Sequence, residues 1–179
     1  QFAAWPKATL HRSRGGPIAG IVIPRIKESQ EIHELYSPAH RKVMFPKADW
    51  RFLVRSARNC AIAFATLHDH NIVIGDVNQG NLLVSKQATI SLIDCDSFQI
   101  SVSGQLFRCP VGVPHFTPPE LQNARLSDVN RTANHDNFGL AILVFHLLFM
   151  GRHPFAGRFS GQGDMPIEKA ISEFRFAYS

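Results

Sequence analysis

Cysteine is scarce in this 179-residue chain. Cys60, Cys95 and Cys109 make an odd count, with no C-x-x-C pair and no histidine at zinc-finger spacing. That argues against a disulfide scaffold and a structural zinc site, and fits a reducing cytoplasm. Long apolar runs are missing too: the longest, Phe138 to Met150, falls well short of the roughly 20 residues needed to cross a bilayer, so membrane insertion within this chain is not expected. Internal repeats and low-complexity tracts are absent. Charge of one sign is in excess but not gathered. The net charge is +5 with a pI near 9.5, yet Arg12 and Arg14 flank a turn, Arg51, Arg55 and Arg58 lie along one helix, and the rest are scattered. Such a pattern reads as a solvated face, which removes the main argument for nucleic-acid binding by this chain. With 45% hydrophobic and 18% charged residues, the composition is that of an ordinary globular unit with one core. Gln1 at the start and Phe174 to Ser179 at the end read as cuts through a longer protein.

Periodicity divides the chain. Phe2 to Leu10 and Pro17 to Ile26 are strand-like, joined by a glycine-bearing turn at Arg12 to Gly16. Ser29 is placed to cap a short helix through Leu35 that Ser37-Pro38 terminates, with a loop to Pro46. Asp49 caps a long helix in which Trp50, Leu53, Val54, Ala57, Ala61, Phe64 and Leu67 recur at helical spacing. Leu82 to Val84 and Thr89 to Ile93 form a hairpin, residues 94–133 read as a long functional loop, and Asn134 to Met150 is a helix apolar on nearly every side. Pro166 to Phe174 closes the pattern as an amphipathic helix.

The chemistry sits in Gly75-Asp76-Val77-Asn78-Gln79-Gly80-Asn81, followed by the hairpin and Leu92-Ile93-Asp94. Phosphoryl transfer needs an acidic group at the attacking hydroxyl and oxygen ligands for Mg²⁺. Asp76 and Asn81 offer one of each from a single loop, and the hairpin returns the chain to place Asp94 beside Asn81. Either residue alone is equally well a turn former or a cap.

Here the chain resembles the protein kinases. Ile74 to Asn81 matches the catalytic-loop pattern H-R-D-L-x-x-x-N, Asp94-Cys95-Asp96 matches D-F-G, Pro118-Pro119-Glu120 matches A-P-E, and Asp136 matches the acidic residue opening the buried central helix. More narrowly, L-I-D-C-D-S-F, F-T-P-P-E-L and N-H-D-N-F-G-L are similar to bacterial Ser/Thr kinase-like proteins whose larger members carry a helix-hairpin-helix DNA-binding region. The resemblance implies an α+β, protein-kinase-like fold: residues 1–27 a remnant of the N-lobe with two strands and the hinge, residues 28–179 a C-lobe cut near its end. It implies ATP and Mg²⁺ as cofactors, transfer to Ser or Thr of a protein substrate by the intact protein, little activity in this piece alone, and any DNA binding outside this chain. Asp76 would orient and deprotonate the substrate hydroxyl, Asn81 and Asp94 would hold Mg²⁺, and Leu83 would pack under the adenine. Main-chain groups from Ile23 through Pro24 to Ile26 would bond the adenine's edge. Asp136 would accept from the catalytic-loop backbone, and Glu120 would anchor the activation segment through an arginine beyond this chain.

The departures carry weight. Ile74 and Gly75 replace the usual His and Arg, leaving no cation in the loop for a phosphorylated activation segment. Asn78 stands where the pattern has a catalytic Lys, and Cys95 and Asp96 replace Phe and Gly. A nucleotide-binding pseudokinase therefore stays open, as does a small-molecule phosphotransferase, although the latter class lacks the P-P-E segment. Asp96 reads as a loop-capping residue or a third ligand; His68 and His70 as helix-end caps; His115, His135 and His153 as structural; and Cys109 as a thiol with only Arg108 for a neighbouring cation.

Overall fold

The computed structural model describes residues 3–178. Two strands, β1 (Ala8–His11) and β2 (Ile18–Val22), pair antiparallel with Ala8 opposite Val22 and a register shift at Leu10/His11. Gly15, at φ +74°, makes the turn. The first expected strand is shorter than Phe2 to Leu10; Phe2 lies outside the described residues, and Ala4 N–H instead donates to Leu92 O at 2.8 Å. Both faces of this hairpin are largely exposed, including Leu10 and Ile18.

Ser29 does not cap a helix. It opens β3 (Ser29–Glu31), which pairs antiparallel with β4 (Leu82–Ser85), itself paired with β5 (Ile90–Leu92). Three residues with free strand edges within reach outcompete a weak local helix signal, a tertiary effect that no local pattern encodes. The helix α1 (Ile32–Tyr36) follows, and Pro38 begins α2 (Pro38–Met44) rather than a loop: its missing N–H is harmless in a first turn.

The long helix α3 (Trp50–Asp69) is capped as expected, Asp49 Oδ1 accepting from Phe52 N–H at 2.8 Å. Its buried face is rotated from the expected one. Leu53, Ser56, Ala57, Cys60, Ala63, Phe64 and Leu67 face inward, whereas Trp50, Val54 and Ala61 face solvent. Small residues at 56, 57, 60 and 63 let this helix lie against α4 (Ala133–Leu148), the apolar central helix. Thr132 and His135 cap α4 reciprocally, Thr132 N–H donating to His135 Nδ1 at 3.0 Å.

Residues 94–133 are more ordered than a long loop. They contain a hairpin of β6 (Ile100–Val102) and β7 (Gln105–Phe107), then three single 3₁₀ turns at Pro114–Phe116, Pro119–Leu121 and Leu126–Asp128. Val73 and Gln99 exchange backbone hydrogen bonds of 3.0 and 2.8 Å, binding this segment to the loop before Asp76. The last helix, α5 (Ile167–Ser172), is shorter than Pro166 to Phe174. One core joins α1, α3, α4 and the β4–β5 hairpin, with Ile32, Leu35, Phe64, Leu82, Leu92 and Leu143 fully enclosed. Gly139 marks the closest approach: a Cβ there would meet Val77 Cγ1 at 2.7 Å, so only glycine lets α4 touch the 74–81 loop.

Candidate active site

Two backbone N–H groups fix the 74–81 loop to the central helix. Ile74 donates to Asp136 Oδ2 and Gly75 to Asp136 Oδ1, each at 2.8 Å, and His68 Nε2 meets Oδ2 at 2.8 Å. Asp136 is 1% exposed, and a buried carboxylate is tolerated when donors meet both oxygens. His68 thus reaches across to α4 rather than capping its own helix; His70 stays local, with Nδ1 at 2.7 Å from Thr66 O.

Within the loop, Asn81 Nδ2 donates to both Asp76 Oδ2 and Asp76 O at 3.1 Å. Ile93 N–H donates to Asn81 O at 3.0 Å, which brings Asp94 alongside Asn81. Asp76 Oδ1 is buried and has no hydrogen-bond partner among the described residues. Asp94 adopts a left-handed conformation at φ +59°, ψ 38°. Its carboxyl is held above the usual range by partial desolvation, then by the negative charges of Asp96 and Asp76 and a hydrogen bond with Asp96. An orphaned carboxylate oxygen and mutually repelling acids fit a bound divalent cation, which would relieve both. With its nitrogen engaged, Asn81 has its amide oxygen left as the atom that could ligate such an ion. Asn78 is 9% exposed and engaged at both ends: Oδ1 accepts from Gly80 N–H at 2.8 Å and Nδ2 donates to Asp76 O at 3.3 Å.

The remaining expected site residues lie apart from this cluster. Leu83 is half-buried on β4 between fully buried Leu82 and Val84, so strand alternation turns it to the opposite, open face, where its strand partner is Glu31 of β3. Just upstream of β3, the segment Ile23, Pro24 and Ile26 makes no backbone hydrogen bond among the described residues; Ile23 is exposed and Ile26 packs on the core. Glu120 is exposed, with Oε1 at 3.7 Å from His135 Nε2.

A profile of the protein kinase domain matches residues 21–175. The chain belongs to the protein kinase family. It is 50% identical over 99% of its length to the protein kinase YegI of Escherichia coli, of which it spans 28%, so it covers under a third of that relative. It is also 33% identical over 95 residues to the serine/threonine-protein kinase N2 of Danio rerio, covering 51% of this chain and 9% of that protein. A solved structure of the yeast RNA Pol II CTD kinase CTDK-1 complex contains a chain that superposes on 96% of this one and is itself half covered, with a TM-score of 0.64 and 17% identity. That likeness shows the kinase fold.

Against the kinase pattern, the structure explains the missing loop arginine. Gly75 has φ +73°, and a Cβ there would lie 2.5 Å from Cys109 Cβ and 2.6 Å from its Sγ. The cation comes instead from Arg131, two residues ahead of α4 and 4% exposed. One terminal nitrogen donates to Gly75 O at 3.1 Å, the other to Val111 O at 2.9 Å. The side chain of Gln99 fixes the Arg131 backbone, accepting from its N–H and donating to its carbonyl at 2.8 Å each. Arg131 and Gln99 escaped notice in the sequence, because the contact between Arg131 and Gly75 spans 56 residues and that between Arg131 and Gln99 spans 32. Cys109 is fully buried, and burial pushes its thiol up, so it is not poised for oxidation. Cys95, where the pattern has Phe, is buried with its thiol raised to about 11 by desolvation.

Proposed function

We propose that this chain is the catalytic half of a Ser/Thr-type protein kinase that transfers the terminal phosphoryl group of ATP to a protein hydroxyl, with Mg²⁺ as cofactor. The observation that carries the reading is the convergence of Asp76, Asn81 and Asp94, with Asp76 Oδ1 buried and unmatched. In this reading the Asn81 amide, donating to Asp76 Oδ2, orients the Asp76 carboxylate as the group that accepts the proton of the incoming Ser or Thr hydroxyl. Asn81 Oδ1 and the Asp94 carboxylate would hold the cation, which would supply positive charge against the phosphate oxygens. Asn78 acts as a positioning residue: its two bonds keep the 78–81 turn closed so that Asn81 faces Asp76. Leu83 supplies the floor for the adenine, and the unbonded main chain of residues 23–26 supplies its edge contacts. Asp136 carries the loop, and Glu120 with His135 steadies the P-P-E segment.

The lobe division belongs to the same proposal, with residues 1–27 the end of an N-lobe whose phosphate-binding parts lie elsewhere in the intact protein. So does a cytoplasmic location and a DNA-binding region, if present, outside this chain; no helix among the described residues is long and apolar enough to cross a membrane. The Ser/Thr preference is supported by the naming of the Danio rerio relative. One observation favours a pseudokinase as second reading: Asn78 is engaged within the loop, so no cation from this loop meets the γ-phosphate. The intact protein decides between them. Transfer of labelled phosphate from ATP to protein, dependent on Mg²⁺, is expected to fall by at least two orders of magnitude in Asp94→Asn, since a ligand oxygen and its charge are lost together. Nucleotide binding without transfer in the unaltered intact protein would establish the pseudokinase instead.

A further inference from the structure

Outside the candidate active site, one cluster of side chains among the described residues has the composition of a transition-metal site. His33 and Glu34 project from α1, and His40 projects from the first turn of α2. One ligand atom from each of the three side chains lies within 4.8 Å of the other two. His33 Nε2 is 3.1 Å from Glu34 Oε1, and His40 Nδ1 is 3.0 Å from Glu34 Oε2. Ligands at about 2.0–2.1 Å from a tetrahedral zinc ion are separated by about 3.3 Å, close to both histidine–Glu34 distances, while the two imidazoles, bounded only by the 4.8 Å spread, would close on the ion by side-chain rotation.

Hydrogen bonds alone also bring imidazoles to a carboxylate, so the distances do not decide the matter. Two other features do. The second nitrogen of His33, Nδ1, is 3.1 Å from Glu31 Oε2, the carboxylate–imidazole pairing that orients a ligating histidine and raises its basicity. The backbone also holds the donors in place: only Ser37 separates α1 from α2, Ser37 N–H donates to His33 O at 3.0 Å, and Arg41 N–H donates to Ser37 O at 2.8 Å. The ligands thus sit on two short helices that cannot swing apart freely, in front of Ile32 and Leu35, which are fully buried.

We propose that His33, Glu34 and His40 form a binding site for a borderline divalent ion, zinc first, with Glu31 as its outer carboxylate. Two imidazoles and one carboxylate select Zn²⁺ over Mg²⁺ or Ca²⁺, which prefer all-oxygen sets. The donor set contains no cysteine, which is why cysteine spacing gave no hint of it. Its place suggests its use. Glu31 is the last residue of β3 and faces Leu83 across the ladder, so an ion here ties the α1–α2 corner to the strand that bears the proposed adenine floor. The ion braces that edge of the cleft and takes no part in phosphoryl transfer.

The test uses Co²⁺ as a spectroscopic stand-in on the intact, chelator-stripped protein, followed by competition with Zn²⁺. Visible absorption of a low-symmetry Co²⁺ centre, displaced stoichiometrically by Zn²⁺, is expected. It should vanish in His40→Ala, an exposed position whose loss leaves the core untouched. Glu31→Gln should keep the band but weaken the affinity about 10- to 100-fold. His115→Ala, on a different face, should change nothing. Absence of the band in the unaltered protein, or its persistence in both His40→Ala and Glu34→Gln, overturns the proposal. Thermal melts of His40→Ala without metal, expected to match those of the unaltered apo protein, guard against loss of fold.

Discussion

Replacing Gly75 with alanine tests the account of the catalytic loop most directly. Two separable penalties apply. The backbone at φ +73° is left-handed, which costs a residue with a Cβ about 1–2 kcal/mol. The new methyl would lie 2.5 and 2.6 Å from Cys109 Cβ and Sγ, and Cys109 is enclosed with no room to retreat. Overpacking of this kind costs about 1–3 kcal/mol. The sum, about 2–5 kcal/mol, is a large share of the 5–15 kcal/mol that holds a typical domain together, and corresponds to a fall in Tm of about 4–20 °C. A double-mutant cycle separates the parts. Cys109→Gly removes both offending atoms, leaving Arg131 Cγ at 3.9 Å as the nearest remaining neighbour. Chemical denaturation of the four genotypes of the intact protein is expected to show the double variant more stable than the two single effects predict, by about 1–3 kcal/mol, with the backbone share unrecovered. Additivity within about 0.5 kcal/mol would falsify the claim that Cys109 occupies the space an arginine side chain would need.

Three further outcomes follow from the same geometry. Gly139→Ala should raise intrinsic helix propensity by about 1 kcal/mol yet lower net stability and phosphoryl transfer together, because the methyl meets Val77 at 2.7 Å and shifts the loop; a more stable and fully active variant would contradict this. His146 is lowered from 6.5 to about 4, first by burial and then by His153, while His115 and Glu168 face the same corner. The unfolded chain then binds a proton that the folded one refuses, so stability is complete above pH 6.5 and declines as pH falls toward 4, by roughly 3 kcal/mol for this group. His146→Gln should flatten that part of the Tm–pH curve; an unchanged slope would assign the decline to other groups. Arg131→Met should leave the carbonyls of Gly75 and Val111 without their donor, costing about 2–5 kcal/mol and slowing transfer, with Arg131→Lys restoring only part since it cannot span both oxygens. Equal activity in all three forms would remove Arg131 from the positioning machinery.

The kinase fold was legible because its signals are local and dense. Asp49 announces α3, the apolar stretch after Asp136 announces a buried helix, and the strand-turn-strand between Asn81 and Asp94 requires no distant partner to be seen. What stayed hidden depends on contacts far apart in sequence. Ser29–Glu31 becomes a strand only because β4 offers an edge 54 residues on, and Pro38 ends one helix by starting another. The buried face of α3 was partly misplaced: Trp50 and Val54 look like core but are exposed, whereas Ser56, Cys60 and Ala63 are buried. The juxtaposition of Asp76 and Asn81 was readable from type and spacing, whereas the engagement of Asn78 depends on a turn that closes only in three dimensions.

Moving the cation from the loop to position 131 changes what the activation segment can respond to. An arginine at position 75 would project toward that segment with free donors, available to a phosphate. Arg131 approaches from beneath, 4% exposed, with its terminal nitrogens already bonded to Gly75 O and Val111 O. A phosphate group on the segment would have to desolvate and displace both carbonyls to reach it, against the loss of two charge-assisted hydrogen bonds. The tie between the 74–81 loop and the segment around Val111 is thus already made by the hydrogen bonds of Arg131 in the unmodified chain.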